Sequence, residues 1–426
     1  MGLAVAPCVN AKILSIKNTQ TNNKKEYKPV LDAVTFIKSY DNLIEDDANA
    51  VKQTYDGGYI VVGTSDNGET SNRYREIWAI KTDAFGSVEW SQKYYKGDWN
   101  EGFDIEQTKG GGYIIAGLTG DYEEFITNCW IIKTDSQGNI EWDRIYKGGG
   151  LEKATSIVEV DDGYVFVANY LTKSREQIYT AIIKINILGD KLWKRNIMYT
   201  FSDYDPCSIQ KTSDYGFIVV GSVERESGDF DILLLKTDSN GYKEWEKFYG
   251  RSEDEFGNSV RQTSDGGYII AGKVSNEQDS FVTDAYIVKT DLYGNIEWEK
   301  TMGDGENVWF AKDIVETFDG GFVTIGCKAK TFDSTHPFLT KLESNGETAW
   351  SKTLPYLTFE SGNSIEQTSD GGFIIAGYTG YMAPPNFDFW LVKTDENGNT
   401  PRARQYHPII ENHPLFSKIF SLFLKI

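Results

Sequence analysis

One phrase recurs along this chain. Residues 262–272 read QTSDGGYIIAG, residues 367–377 read QTSDGGFIIAG, and residues 107–117 read QTKGGGYIIAG. Three markers show how far the repetition runs. Tryptophans in NIEWEK-like segments stand at Trp90, Trp142, Trp193, Trp245, Trp298 and Trp350, in steps of 52, 51, 52, 53 and 52. The lysine of KTD-like segments recurs at Lys81, Lys133, Lys184, Lys236, Lys289, Lys341 and Lys393. The first position of the DGG turn recurs at Asp56, Gly110, Asp161, Asp214, Asp265, Asp319 and Asp370. Seven copies near 52 residues constrain the fold more than any other feature. A unit that cannot bury its own faces must stack on its neighbours.

Each copy carries four short β signals. In the fifth they are NSVRQT (258–263), YIIAG (268–272), AYIVKTD (285–291) and NIEWEKT (295–301). Such β-branched and aromatic runs, bounded by Gly and Asp, are strands joined by tight turns. Helical periodicity is absent from 33–400. The pattern predicts an all-β chain, a seven-bladed β-propeller of four-stranded antiparallel blades. A sandwich would not repeat its sequence, and the coils of a β-helix are far shorter than this period.

The two ends of the array complement each other. Residues 34–40, VTFIKSY, align with the fourth strands: Phe36 takes the Trp position, Lys38 the Lys and Tyr40 the Tyr. The last copy instead degrades into TPRARQY, with Pro401 and no Trp. A proline there would cost a ladder hydrogen bond unless it lies at an edge. The N-terminal strand, about 34–40, is therefore expected to close the ring as the outermost strand of the last blade, removing an open edge. The propeller is assigned to 34–406. Residues 12–33 read as a linker. Residues 1–11 read as the remnant of a signal peptide, with a small-residue apolar run ending in VNA.

On the segments DGGYIIAG and KTDxxGNIEWxKxYG, over roughly 34–400, the chain resembles repeat β-propellers of the quinoprotein-like (PQQ-like) or kelch-like kind, common among secreted archaeal and bacterial proteins. The resemblance implies the blade, its turn and its Trp. It implies no particular activity. No adjacent Cys pair is present, and no cofactor is expected.

Composition narrows the partners. The net charge is −20, which disfavours a nucleic-acid partner and suits cationic ligands or a well-solvated surface. Cys8, Cys129, Cys207 and Cys327 form no CxxC pair, and His336, His407 and His413 form no zinc motif. Calcium is a conceivable ligand of the acidic loops. The repeated DGG aspartate, however, offers one carboxylate where calcium needs six to eight oxygens, so it reads as a turn residue.

Function is sought where the copies disagree, because variable loops on a rigid scaffold carry specificity. The loops leading into each first strand, and those between second and third strands, are rich in acids and aromatics. Trp99 and Trp309 lie off the repeat register and are candidate ligand contacts. Asp98, Glu101, Asp203, Asp205, Glu253, Asp254, Glu255, Asp304 and Glu306 are expected to ring the mouth of a central channel. They suit binding of calcium or a cation, glycoside hydrolysis by paired carboxylates, or solvation alone. No nucleophile elbow, phosphate loop or triad is present, and no catalytic residue is assigned. A sialidase-like site would need several arginines, whereas the first strands offer essentially Arg261.

The reading is a monomeric, extracellular or cell-surface, non-enzymatic binding propeller with a protein or glycan ligand. The alternative is a carbohydrate-active enzyme, a hydrolase or lyase, using channel-mouth carboxylates. Residues 407–426 form a separate apolar tail. Its segment 414–426, PLFSKIFSLFLKI, is too short to span a bilayer but suits a membrane surface or a partner.

Overall fold

The computed structural model describes residues 34–41, 45–66, 74–148, 150–171, 178–197, 208–226, 228–251, 253–275, 282–331, 334–354, 359–382 and 385–401. Every regular element among them is a strand. The first is β1 (Phe36–Tyr40). The next four are β2 (Asp46–Gln53), β3 (Tyr59–Asp66), β4 (Arg75–Thr82) and β5 (Val88–Tyr94). They are followed by β6 (Trp99–Gln107), β7 (Tyr113–Asp121), β8 (Ile126–Thr134) and β9 (Ile140–Tyr146). Then come β10 (Leu151–Val160), β11 (Gly163–Leu171), β12 (Ile178–Asn186) and β13 (Lys191–Ile197). β14 (Ser208–Lys211), β15 (Phe217–Glu224), β16 (Phe230–Thr237) and β17 (Lys243–Tyr249) precede β18 (Glu255–Gln262), β19 (Tyr268–Ser275), β20 (Thr283–Thr290) and β21 (Ile296–Met302). The last are β22 (Val308–Glu316), β23 (Phe322–Thr331), β24 (Ser334–Leu342), β25 (Thr348–Thr353), β26 (Phe359–Gln367), β27 (Phe373–Met382) and β28 (Pro385–Thr394).

Four antiparallel four-stranded sheets run in chain order: β2 to β5, β6 to β9, β10 to β13 and β14 to β17. The remaining strands form one twelve-stranded sheet. Within it, antiparallel meanders are joined by single parallel bridges, Thr283 to Val308 and Thr335 to Phe359. β1 occupies the fourth place beside β28, with Phe36 opposite Lys393. The same register sets Trp90 opposite Lys81 and Trp142 opposite Lys133.

The second and third strands form the core because both their faces are covered. Ile60, Val62, Ile77, Ile114, Val165, Leu234 and Ile269 are fully buried. Their β-branched and aliphatic side chains suit a pleat packed on two sides. The clusters cross from one sheet to the next: Ile60, Val62 and Ile77 pack with Ile105, Ile115 and Trp130. Each such side chain contributes about 1.5–3 kcal/mol.

A latch repeats at the rim. The Trp90 indole N–H donates to the Ser136 carbonyl at 3.0 Å, and the Tyr94 hydroxyl donates to the Gly138 carbonyl at 2.8 Å. Gly138 has φ +80°, and a Cβ there would lie 2.8 Å from the Trp90 ring. The turn therefore needs glycine twice, for its backbone and for the indole against it. Trp142 and Tyr146 make the same bonds to Ile187 and Gly189. At the seam the Phe36 ring stands against Gly86, and the Tyr40 hydroxyl donates to the Gly86 carbonyl at 2.7 Å.

The repeated lysine is buried and tied down. Lys289 Nζ lies 2.9 Å from Asp265 and 2.8 Å from Glu297. Asp265 also caps its own turn, accepting from Thr263 Oγ1 and from the Gly267 N–H at 2.9 Å. The DGG aspartate thus works as a turn cap and as a lysine's partner.

Candidate functional site: the central channel

The first strands share an irregularity. In six of them the register against the second strand skips one residue. The skipped residues are Asn49, Phe103, Thr155, Asn258, Lys312 and Asn363. A bulge leaves its extra residue out of the ladder and re-aims its side chain. All six line one cavity of about 430 Å³, bordered by β2, β6, β10, β14, β18, β22 and β26. The corresponding residue of the fourth copy, Cys207, lies outside the described residues. The bulge thus turns a column in which the copies differ toward a common interior.

Deeper in the channel, charged groups join the inner strands. Asp313 on β22 accepts from the Ser259 hydroxyl at 2.6 Å, from its neighbour's N–H at Ile314 and from the Ile365 N–H at 3.0 Å. The Arg261 guanidinium lies 3.3 Å away and also donates through Nε to the Ile314 carbonyl at 3.2 Å. One carboxylate so ties β18, β22 and β26. Asp104 repeats the device, accepting from the Ser156 hydroxyl at 3.0 Å and the Ile157 N–H at 2.9 Å.

Two channel carboxyls titrate far above the ordinary carboxylate range. Burial pushes Glu106 up to about 7, against the opposing charge of Lys52 and with help from Asp104. Its Oε2 accepts the Glu159 N–H at 3.0 Å. Burial likewise pushes Asp47 up to about 6; Lys312 and a 2.8 Å hydrogen bond from Asn363 oppose the shift, and Glu101 adds to it. Groups poised near neutrality inside a cavity are suited to proton exchange or ligand-coupled ionisation.

A second cavity of about 340 Å³ shares Asp47, Asn49, Phe103 and Tyr378 with the first and adds Glu45, Arg75, Glu101 and Phe387. Glu101, expected at the channel mouth, lines this second cavity, ion-paired with Arg75. Trp99 donates its indole N–H to Glu101 at 2.9 Å, but its ring is stacked on Tyr122 at 4.6 Å, away from both cavity linings. Asp98 accepts the Tyr122 N–H at 3.0 Å and holds the same turn. Asp254 accepts the Phe230 N–H at 3.0 Å. Asp304 caps its own turn through the Glu306 and Asn307 N–H groups. The Trp309 ring packs 5.2 Å from Phe338, with the Lys328 ammonium above it. Asp203 and Asp205 lie outside the described residues, as does the apolar tail.

Glu255 lines neither cavity. It is buried and accepts the Arg251 N–H at 3.2 Å, as Glu152 accepts Gly148 and Gly150, and as Asn100 accepts Lys96. This column clamps the loops leading into the first strands. Among the described residues one acidic group, Asp41, Asp46 and Asp388, brings oxygens within 4.8 Å of one another. Burial, then Asp41 and Asp46, push Asp388 up to about 7, so its proton lets the three sit together.

The comparisons bear on the fold. No family model matches the chain, and no curated protein matches it. Among solved structures, puromycin hydrolase aligns with a TM-score of 0.54 and 12% identity, over 91% of this chain and 56% of that one. This chain thus spans little more than half of that enzyme. The β-propeller domain of the Trilobed protease from Pyrococcus furiosus aligns with a TM-score of 0.46 and 10% identity, over 85% of this chain and 100% of that domain. Such likeness shows architecture alone. With the inner strands of every sheet around one cavity, the chain is an all-β propeller.

Proposed function

We propose that this chain is a seven-bladed propeller of the secreted or cell-surface kind that binds a ligand in its central channel without transforming it. The observation that carries the reading is the set of six bulges. They set three amides, a hydroxyl, an aromatic ring and an ammonium along the wall of one cavity of about 430 Å³, where the Asn49, Asn258 and Asn363 amides also donate to the Gly102, Ala311 and Ala48 carbonyls. Such a lining suits a polar ligand of the size of one or two sugar rings, or the tip of a protein loop. The acids of the outer loops mostly hold their own backbone, and this favours the channel over the loop tips. The test is a glycan and peptide array probed with the native chain and with Thr155→Trp, which plugs the cavity. A ligand bound by the native chain and lost in the plugged variant supports the reading. Equal binding by both overturns it.

A carbohydrate-active enzyme is the second reading. It is favoured by Glu106 and Asp47, two carboxyls lifted toward neutrality within one cavity. Hydrolysis of aryl glycosides that vanishes in Glu106→Gln, with binding retained, would decide for it.

A further inference from the structure

The mouth of the channel differs chemically from its depth. Glu45, Asp47 and Glu101 line the outer cavity of about 340 Å³ together with one cation, Arg75, and Arg75 already pairs with Glu101. Lys312 faces Asp47 from the deeper side. The acids outnumber the cations here, within a chain whose net charge is −20. The rest of the wall is largely aromatic: Phe103, Tyr378 and Phe387, with Phe387 edge-on to Tyr378 at 5.3 Å.

A neutral sugar gains from rings and amides but leaves the excess of acid uncompensated. An inorganic cation is satisfied by the acids but makes poor use of three rings. A soft, partly apolar cation uses both, because ring faces attract alkylammonium and guanidinium groups while carboxylates neutralise them. We propose that the mouth formed by Asp47, Glu101, Phe103, Tyr378 and Phe387 binds an organic cation, a guanidinium or alkylammonium group presented by the channel's ligand. This rests on the reading of the channel as the binding site and names its ligand class.

Asp47 makes the binding proton-linked. The charges facing it are Lys312 on β22, Glu101 on β6 and Arg75 on β4, with the Tyr378 phenol on β27. Its carboxyl is neutral below about pH 6 and charged above. A bound cation favours the charged form and expels the proton. Affinity therefore falls as the pH drops through 6, and protons are released on binding near that pH.

The experiment is calorimetric titration of the whole chain with N-acetylargininamide, with choline and with the neutral glycans of the array, at pH 6 and pH 8, in buffers of different ionisation enthalpy. Saturable binding of either cation, weakened about tenfold or more by Asp47→Asn and by Phe387→Ala, with proton release at pH 6, is expected. Circular dichroism melts establish that the variants are folded, and Glu101→Gln supplies a second charge variant. Preference for N-acetylargininamide points to a peptide ligand, and preference for choline to a quaternary ammonium. Binding of neutral glycans with no binding of either cation overturns the inference and leaves the channel reading standing. Binding of cations unaltered by Asp47→Asn also overturns it. Binding of nothing, with or without the Thr155→Trp plug, overturns both.

Discussion

Phe36 and Lys393 stand opposite each other in an antiparallel pair, although one belongs to the first described strand and the other to the last. Phe36 does at the seam what a tryptophan does elsewhere, pressing its ring on the Gly86 turn of the neighbouring copy. Phe36→Ala removes this contact, and we expect a loss of about 3–5 kcal/mol in urea denaturation. Phe36→Trp restores the residue used elsewhere and is expected to change stability by less than about 1.5 kcal/mol. Unchanged stability in Phe36→Ala would show that this contact does not hold the seam.

The rim latch predicts a contrast between two glycines of similar conformation. Gly266 has φ +87° with open space around it, whereas Gly138 faces the Trp90 ring. Gly266→Ala is expected to cost about 1 kcal/mol, from backbone strain alone. Gly138→Ala adds the displacement of the indole and is expected to cost roughly 1–3 kcal/mol more. Thermal melts of the pair check this.

The buried lysines predict an acid limb of stability. Burial alone would raise Asp265, but hydrogen bonds from Thr263, Lys289 and the Gly267 N–H outweigh it and bring it down to about 2. Asp56, Asp214 and Asp319 are held at about 2 in the same way. Each folded pKa is below the unfolded one, so the stabilisation is full above about pH 4 and is lost as pH falls toward 2. Lys289→Met should lower stability at pH 7 and flatten its decline between pH 4 and pH 2. A denaturation series across that range is the measurement.

Glu106 predicts the opposite slope. Its folded pKa of about 7 lies above that of an unfolded glutamate. Its contribution is therefore full at pH 4 and is lost as pH rises through 7. Glu106→Gln should raise the denaturation midpoint at pH 8 and leave it unchanged at pH 4. A midpoint raised equally at both would indicate repacking rather than relief of a buried charge.

Asp313 predicts a concentrated weakness. Asp313→Ala leaves Arg261 without its carboxylate and frees two strand N–H groups, so a loss of about 3–5 kcal/mol is expected. Asp313→Asn keeps an acceptor and should lose less. Chemical denaturation of both variants distinguishes the charge from the hydrogen bonds.

The fold was largely written in the repeat. Strand positions followed from alternation and turn glycines, and Phe36, Lys38 and Tyr40 disclosed the seam by matching a fourth strand. The site was legible only in part. Glu101, near the start of β6, was readable as an acid lining the second cavity, but Asp98, Asp254 and Asp304 have carboxylates spent on nearby N–H groups. Loop acids satisfy local backbone first, and composition cannot show that. Asn363 and Asp47 bond at 2.8 Å across opposite ends of the sequence, a proximity that only ring closure creates. The available signal was in the first strands, where the bulged residues and the column of Lys52, Glu106, Val158, Gln210 and Arg261 both vary among copies.

The pairing of β1 with β28 also sets a schedule. During synthesis β1 is the first of the described strands to emerge and its partner β28 the last. At about 5–20 residues per second the oldest strand waits roughly 20–70 s for the youngest. Through that interval its backbone N–H and C=O groups are a vacant template, with Lys38 the one charge within the strand to deter a stranger. Until β28 arrives, the edge it will cover is open to neighbouring chains and to chaperones, so the pairing of the two most distant described strands is what closes it.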